Sequence, residues 1–149
     1  MGITLREAGK LDDAIQVLQK AADLGSAHAM NELGITLREA GKLDDAIQVL
    51  QKAAGLGHVH AMNELGITLR ATGKINDAIR VLQKAADLGN IQSFNELGIT
   101  LRAAGKIDDA IQVLQKAADL GNAHSMNELG ITLRDAGKID NAIQVLQKR

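Results

Sequence analysis

The chain has 149 residues, 46% of them apolar, enough for one ordinary domain or one short solenoid. Lys plus Arg total 17 against 18 Asp plus Glu, a formal charge of -1, which excludes a protein held on nucleic acid or anionic lipid by a basic field. Cysteine is absent, so disulfides, thiolate metal sites and a thiol nucleophile are excluded too.

Proline is also missing and Phe94 is the one aromatic residue, so a chain this rich in Leu, Ile and Ala is predicted to be all helical. No apolar run approaches the ~20 residues of a membrane span, and residues 1–6 form no signal peptide. Arg6 stands where a myristoylation pattern needs Ser or Thr. The compartment stays open, with the cytoplasm as the default expectation.

Self-comparison organises the rest. A block of 32 residues starting at Gly2 returns at Gly34, Gly66 and Gly98, and a 20-residue copy runs from Gly130 to Arg149. The first two blocks differ only at Asp23/Gly55, Ser26/His58 and Ala27/Val59. Such similarity fits tandem duplication or an engineered array.

In chain order, residues 1–8 read as the tail of a first-type helix. A second-type helix follows and stops at Gly25, the expected left-handed residue, as Gly57, Gly89 and Gly121 are later. Ser26 then caps a first-type helix over about residues 27–40, with Met30, Leu33, Gly34 and Leu37 on one face and Gly41 ending it. Residues 42–56 form the next second-type helix. Leu43, Ala46, Ile47, Leu50, Ala53 and Ala54 make its apolar stripe, Asp44 and Asp45 sit in its first turn and Lys52 near its last. Gly55 stands where the other full units carry Asp, so that end is expected to fray. His58 is expected to be a poor N-cap beside Ser26, Asn90 and Asn122.

One such hairpin cannot fold alone. Ordering costs roughly 1.5 kcal/mol per residue, more than a few buried leucines at ~2 kcal/mol each return. Val49 and Leu56 lie off the main stripe, a surplus explained if each hairpin packs on the next. The predicted fold is an all-α solenoid of stacked antiparallel helix hairpins with a 32-residue period, one domain over residues 1–149.

The residues carry a family resemblance. Met62-x-x-Leu65-Gly66 resembles the tetratricopeptide-repeat signature, and Phe94 fills the large position ahead of Leu97-Gly98. Leu69 stands for the family's next aromatic, Ala78-Ile79-Arg80-Val81-Leu82 for its Ala-x-x-x-Phe, and Ala85 for the later small residue. The resemblance covers essentially the whole chain. It departs in its period, two residues short of the usual one, and in having Ser26, His58, Asn90 or Asn122 where a proline is expected. The stretch Lys20-Ala21-Ala22-Asp23-Leu24-Gly25 is also similar to Sel1-like repeats, and Ala-Gly-Lys-Leu-Asp-Asp-Ala to the pentatricopeptide RNA readers, in that order of likeness.

The tetratricopeptide resemblance implies a right-handed solenoid whose first-type helices line a concave, peptide-holding groove. The implied stripe is His28, Asn31, Ile35, Arg38 and Glu39, then His60, Asn63, Ile67, Arg70 and Ala71. Gln92, Asn95, Ile99, Arg102 and Ala103 follow, then His124, Asn127, Ile131, Arg134 and Asp135. Asn amides could hold an extended backbone and Arg forks a carboxylate or phosphate. A structural role competes: each Arg pairs with a nearby acid such as Glu32 or Asp44, and each Asn bonds neighbouring backbone. The stripe has no lysine, which argues against the family's dicarboxylate-clamp peptides.

No metal is expected. His28, His60 and His124 share one repeat position, and helices pack about 8–10 Å apart, too far for convergence on one ion. His58-x-His60 lacks carboxylate or thiolate company. Met30, Met62 and Met126 are expected in the core, and the Asp12-Asp13 and Asp44-Asp45 pairs in first helical turns. Nothing resembles a nucleophile with its base, a phosphate loop or a dinucleotide turn, so no enzyme and no cofactor is expected.

Two functions are therefore in play. The first is a non-enzymatic scaffold with a protein or peptide partner in the groove, and no nucleic-acid or membrane partner. The second is a ligand-free array that self-assembles through uncapped end helices, weakened by charge at Ile143 or Leu146. RNA binding ranks third because the chain lacks phosphate-contacting charge.

Overall fold

Stripes of Leu, Ile and Ala at three- and four-residue spacing become helices wherever glycine does not interrupt them. The structure, a computed structural model, describes residues 5–137, so Ile143 and Leu146 lie outside the described residues. Among the described residues there are eight helices and no strand: α1 (Leu5–Asp23), α2 (Ala27–Glu39), α3 (Leu43–Gly55), α4 (Val59–Ala71), α5 (Ile75–Asp87), α6 (Ile91–Ala103), α7 (Ile107–Asp119) and α8 (Ala123–Asp135). They form stacked hairpins, with α2, α4, α6 and α8 as the first-type helices.

The chain groups into two compact units, Met1–Val81 and Leu82–Arg149, with the division inside α5. In the first unit α1 packs on α2, α2 on α3 and α3 on α4, while α2 also meets α4. In the second, α6 packs on α7, α7 on α8, and α6 meets α8. First-type helices thus stack on first-type helices within each unit.

The turns are short because each is built around one left-handed glycine. Gly57 has φ +87°, its N–H donates to Ala54 O at 2.9 Å, and the His58 N–H reaches back to Ala53 O at 3.2 Å. Gly41, at φ +80°, repeats the pair with Arg38 O and Leu37 O. This Schellman arrangement satisfies the last carbonyls of one helix and delivers the chain to the cap of the next. Ser26 Oγ, Asn90 Oδ1 and Asn122 Oδ1 then accept from the amides of Ala29, Ser93 and Ser125, as the sequence predicts.

Gly9 is different. α1 runs through it as one 19-residue helix, without the break expected after residue 8. A helix crosses a glycine for about 1 kcal/mol, and Gly9 does not take the positive φ of the turn glycines. α3 likewise continues to Gly55.

The core of the first unit joins Leu33 and Leu37 of α2, Ile47 and Leu50 of α3, and Leu65 and Leu69 of α4. The Leu-Gly signature has a steric cause. A Cβ at Gly34 would collide with the Leu50 side chain, and one at Gly98 with Leu114, so the glycine admits a fully buried leucine from the second-type helix. Two apolar expectations are corrected. Leu56 is 61% exposed rather than packed on the next hairpin, because as the C-cap of α3 it points off the helix end. Met126 is 50% exposed, unlike buried Met30 and Met62 at the same repeat position.

Candidate interaction surface

The first-type helices present the predicted stripe, and its members divide sharply by exposure. His28 and His60 of the first unit, and Gln92 and His124 of the second, are exposed at the N-terminal turns. One or two turns further on, Ile35, Ile67, Ile99 and Ile131 are half-buried. The amides and guanidinium groups between them are mostly committed to the scaffold.

Arg38 shows this best. Its Nη2 donates to Glu64 Oε2 at 2.6 Å, and its Nη1 to Thr68 Oγ1 at 2.9 Å and Glu64 O at 3.3 Å. Thr68 is free to accept because its own hydroxyl proton goes to Glu64 O at 2.8 Å. Arg102 repeats the fork with Glu128 Oε2 at 2.9 Å and Thr132 Oγ1 at 2.8 Å. The expected partners, Glu32 and Asp44, are displaced because the guanidinium spans from one first-type helix to the next, where a carboxylate, a hydroxyl and a carbonyl converge. Arg70 is engaged as well. Arg134 is the exposed member and has Asp135 at 3.8 Å.

The asparagines follow the same division. Asn31 and Asn63 are buried, and Asn63 is not free. Asn95 Oδ1 accepts from Ser125 Oγ at 3.2 Å, and Asn127 is exposed. Asn31 Oδ1 is the buried side-chain polar atom left without a hydrogen-bond partner among the described residues.

His58 corrects a further expectation. Its Nδ1 accepts from the Ala61 N–H at 3.1 Å, so the ring does cap α4, since a neutral imidazole offers one acceptor nitrogen. Its ring centroid lies 6.2 Å from that of His28 and 6.0 Å from that of His60. Burial, then His60 and His28, hold its pKa below the usual 6.5, against the opposing pull of Glu32. Among the described residues no group of three or more His, Cys, Asp or Glu is placed to hold a metal ion.

Sequence reasoning missed the arginine fork and the imidazole trio, since both join residues some 26 to 30 positions apart. The recurrence of Arg, Glu and Thr at fixed repeat positions was the available signal. Two clefts of about 270 and 320 Å³ recur in the first unit among second-type helices, lined by Lys42, Asp45 and Gln48 and by Lys74, Asp77 and Arg80. Both mix charges of either sign.

A tetratricopeptide repeat family model matches residues 1–57 and 95–148, and a second tetratricopeptide repeat model matches residues 59–89. The chain belongs to the tetratricopeptide repeat family. No curated protein matches it significantly. Among solved structures it is similar to a crystal structure of MamA, at 24% identity and TM-score 0.78, covering 99% of this chain and 94% of that one. A second MamA protein structure has 26% identity and TM-score 0.77 over 96% and 82% of the two chains. The nearly identical TPR-like repeats of a Podosopora anserina protein, in a variant form, have 17% identity and TM-score 0.75 over 94% and 85%. These likenesses establish a tetratricopeptide-like helical-repeat solenoid. No helix among the described residues is long and apolar enough to cross a membrane.

Proposed function

We propose that this chain is a non-enzymatic interaction scaffold that takes an extended segment or helix of a protein partner on its first-type helices. The family supports the scaffold role. One observation supports the face: in every repeat an exposed His or Gln recurs at fixed register beside a half-buried Ile, as in His60 with Ile67 and Gln92 with Ile99. Exposed polar edges flanking partly covered apolar side chains suit a peptide that is held without an acidic or basic field. Arg38, Arg70, Arg102 and the buried asparagines belong to the frame beneath, so the contacting set centres on His28, Ile35, His60 and Ile67 in the first unit, and Gln92, Ile99, His124 and Ile131 in the second.

Random peptides displayed on phage and selected on the intact chain provide the test. Selected peptides should lose binding to the His28→Ala/His60→Ala variant or to the Gln92→Ala/His124→Ala variant, with helical melting unchanged. They should keep binding to Gln48→Ala/Gln112→Ala, whose side chains are exposed on second-type helices. The reverse pattern would remove the proposal. Replacing Asn63 and Asn95 is the poorer test, because their loss disturbs the stack itself.

A second reading, self-association, draws on Leu24, Leu56, Leu88 and Leu120, all more than half exposed at the ends of second-type helices. A constant mass of 15.8 kDa by light scattering over a hundredfold concentration range would eliminate it.

A further inference from the structure

We propose that the α3–α4 junction is acid-labile, because His58 caps α4 with a ring nitrogen that must stay unprotonated to accept the Ala61 amide. The remaining described first-type helices are capped by Ser26, Asn90 and Asn122, oxygen acceptors that do not titrate between pH 5 and 8. In the neutral ring the proton sits on Nε2 and Nδ1 is the acceptor. Protonation converts Nδ1 into a donor facing another donor, and places a cation at the positive end of a helix.

The surroundings reinforce this. From α2 the ring faces His28 and Glu32, and from its own helix His60. Glu32 is the one carboxylate acting on it, and it is exposed. α3 ends on Gly55 where α1 and α7 end on Asp23 and Asp119, and its last charged residue, Lys52, is exposed. The neighbouring His60 and His28 each make a cation at His58 costlier. A base whose folded pKa lies below its unfolded one binds fewer protons folded than unfolded. The stability it contributes is therefore complete above about 6.5 and is lost as pH falls from there toward the folded value.

Amide hydrogen exchange on the full chain, corrected for the intrinsic pH dependence, tests the device. Between pH 7.5 and pH 5 the Ala61 amide should lose about fivefold in protection, the equivalent of one N-cap. Ser93 and Ser125, capped by Asn90 and Asn122, should change little. His58→Asn, which installs the cap of two later repeats, should fold at least as well and hold Ala61 protection across the range. His28→Gln/His60→Gln, which copies Gln92, should move the midpoint of the Ala61 loss to higher pH. Equal protection of Ala61 at both pH values would overturn the proposal, as would a parallel loss at Ser93 and Ser125, an acid loss that persists in His58→Asn, or an unmoved midpoint in the double variant.

Discussion

The orphaned acceptor of Asn31 yields a stabilising substitution. In the second unit the hydroxyl of Ser125 donates to Asn95 Oδ1 at 3.2 Å across 30 residues of sequence. Shifted back by two repeats, those positions are Ala61 and Asn31, and Asn31 Oδ1 has no partner in a residue only 5% exposed. A buried acceptor without a donor costs about 1–3 kcal/mol, and a restored hydrogen bond returns a net ~0.5–1.5 kcal/mol. The repeat accommodates a serine at this position, since Ser125 is as fully buried at its place as Ala61 is. Against the gain stands the lower helix propensity of serine, about 0.5 kcal/mol in a helix interior. The net expectation is roughly 0.5–1 kcal/mol of stabilisation, a Tm higher by about 1–4 °C for a chain of this length. Melting followed at 222 nm reads it directly. A serine at 61 has rival acceptors, the His58 ring nitrogen and the backbone carbonyl a turn earlier, so the control is the same substitution in an Asn31→Ala background. A Tm that falls, or rises equally in both backgrounds, would refute the reasoning. Ser125→Ala should show the mirror-image loss.

Gly98→Ala should destabilise by about 1–2 kcal/mol despite alanine's better propensity, because its Cβ meets Leu114, and overpacking of this kind costs about 1–3 kcal/mol. Leu114→Ala alone should cost about 2–5 kcal/mol, and the double variant less than the sum, as denaturant titration will show. The Arg102–Glu128 pair is about one-fifth exposed, so a double-mutant cycle with alanines should give a coupling near 1 kcal/mol that weakens in high salt. Leu120→Lys should leave the unfolding free energy, read from the melting curve, within the about ±0.5 kcal/mol typical of surface changes. The wild-type chain should lose stability as pH falls below about 6.5, more than His58→Asn does, because the depressed His58 pKa makes the unfolded state the better proton acceptor.

The candidate surface was only half legible in the sequence. Repeat register placed His60, Ile67, Asn63 and Arg70 on one helical face, which the structure keeps. Their division into contact and frame was hidden. A buried Asn63 and an exposed Asn127 occupy the same repeat position. For Arg38 the sequence suggested nearby acids such as Glu32 or Asp44, yet its carboxylate partner, Glu64, lies on the following first-type helix.

The sequence by itself determined the helices, the left-handed glycine turns and the hairpin repeat, because these depend on contacts within a few residues: apolar spacing, caps and the φ that only glycine adopts cheaply. Tertiary structure decided the rest. The helix runs on through Gly9 without a break, and Leu56 remains in solvent at its helix end. Asn31 lacks the donor that Ser125 gives Asn95, and His58 becomes a cap set between two other imidazoles. The Ser125–Asn95 bond and the His28–His58 approach join residues 30 positions apart, which no local pattern encodes.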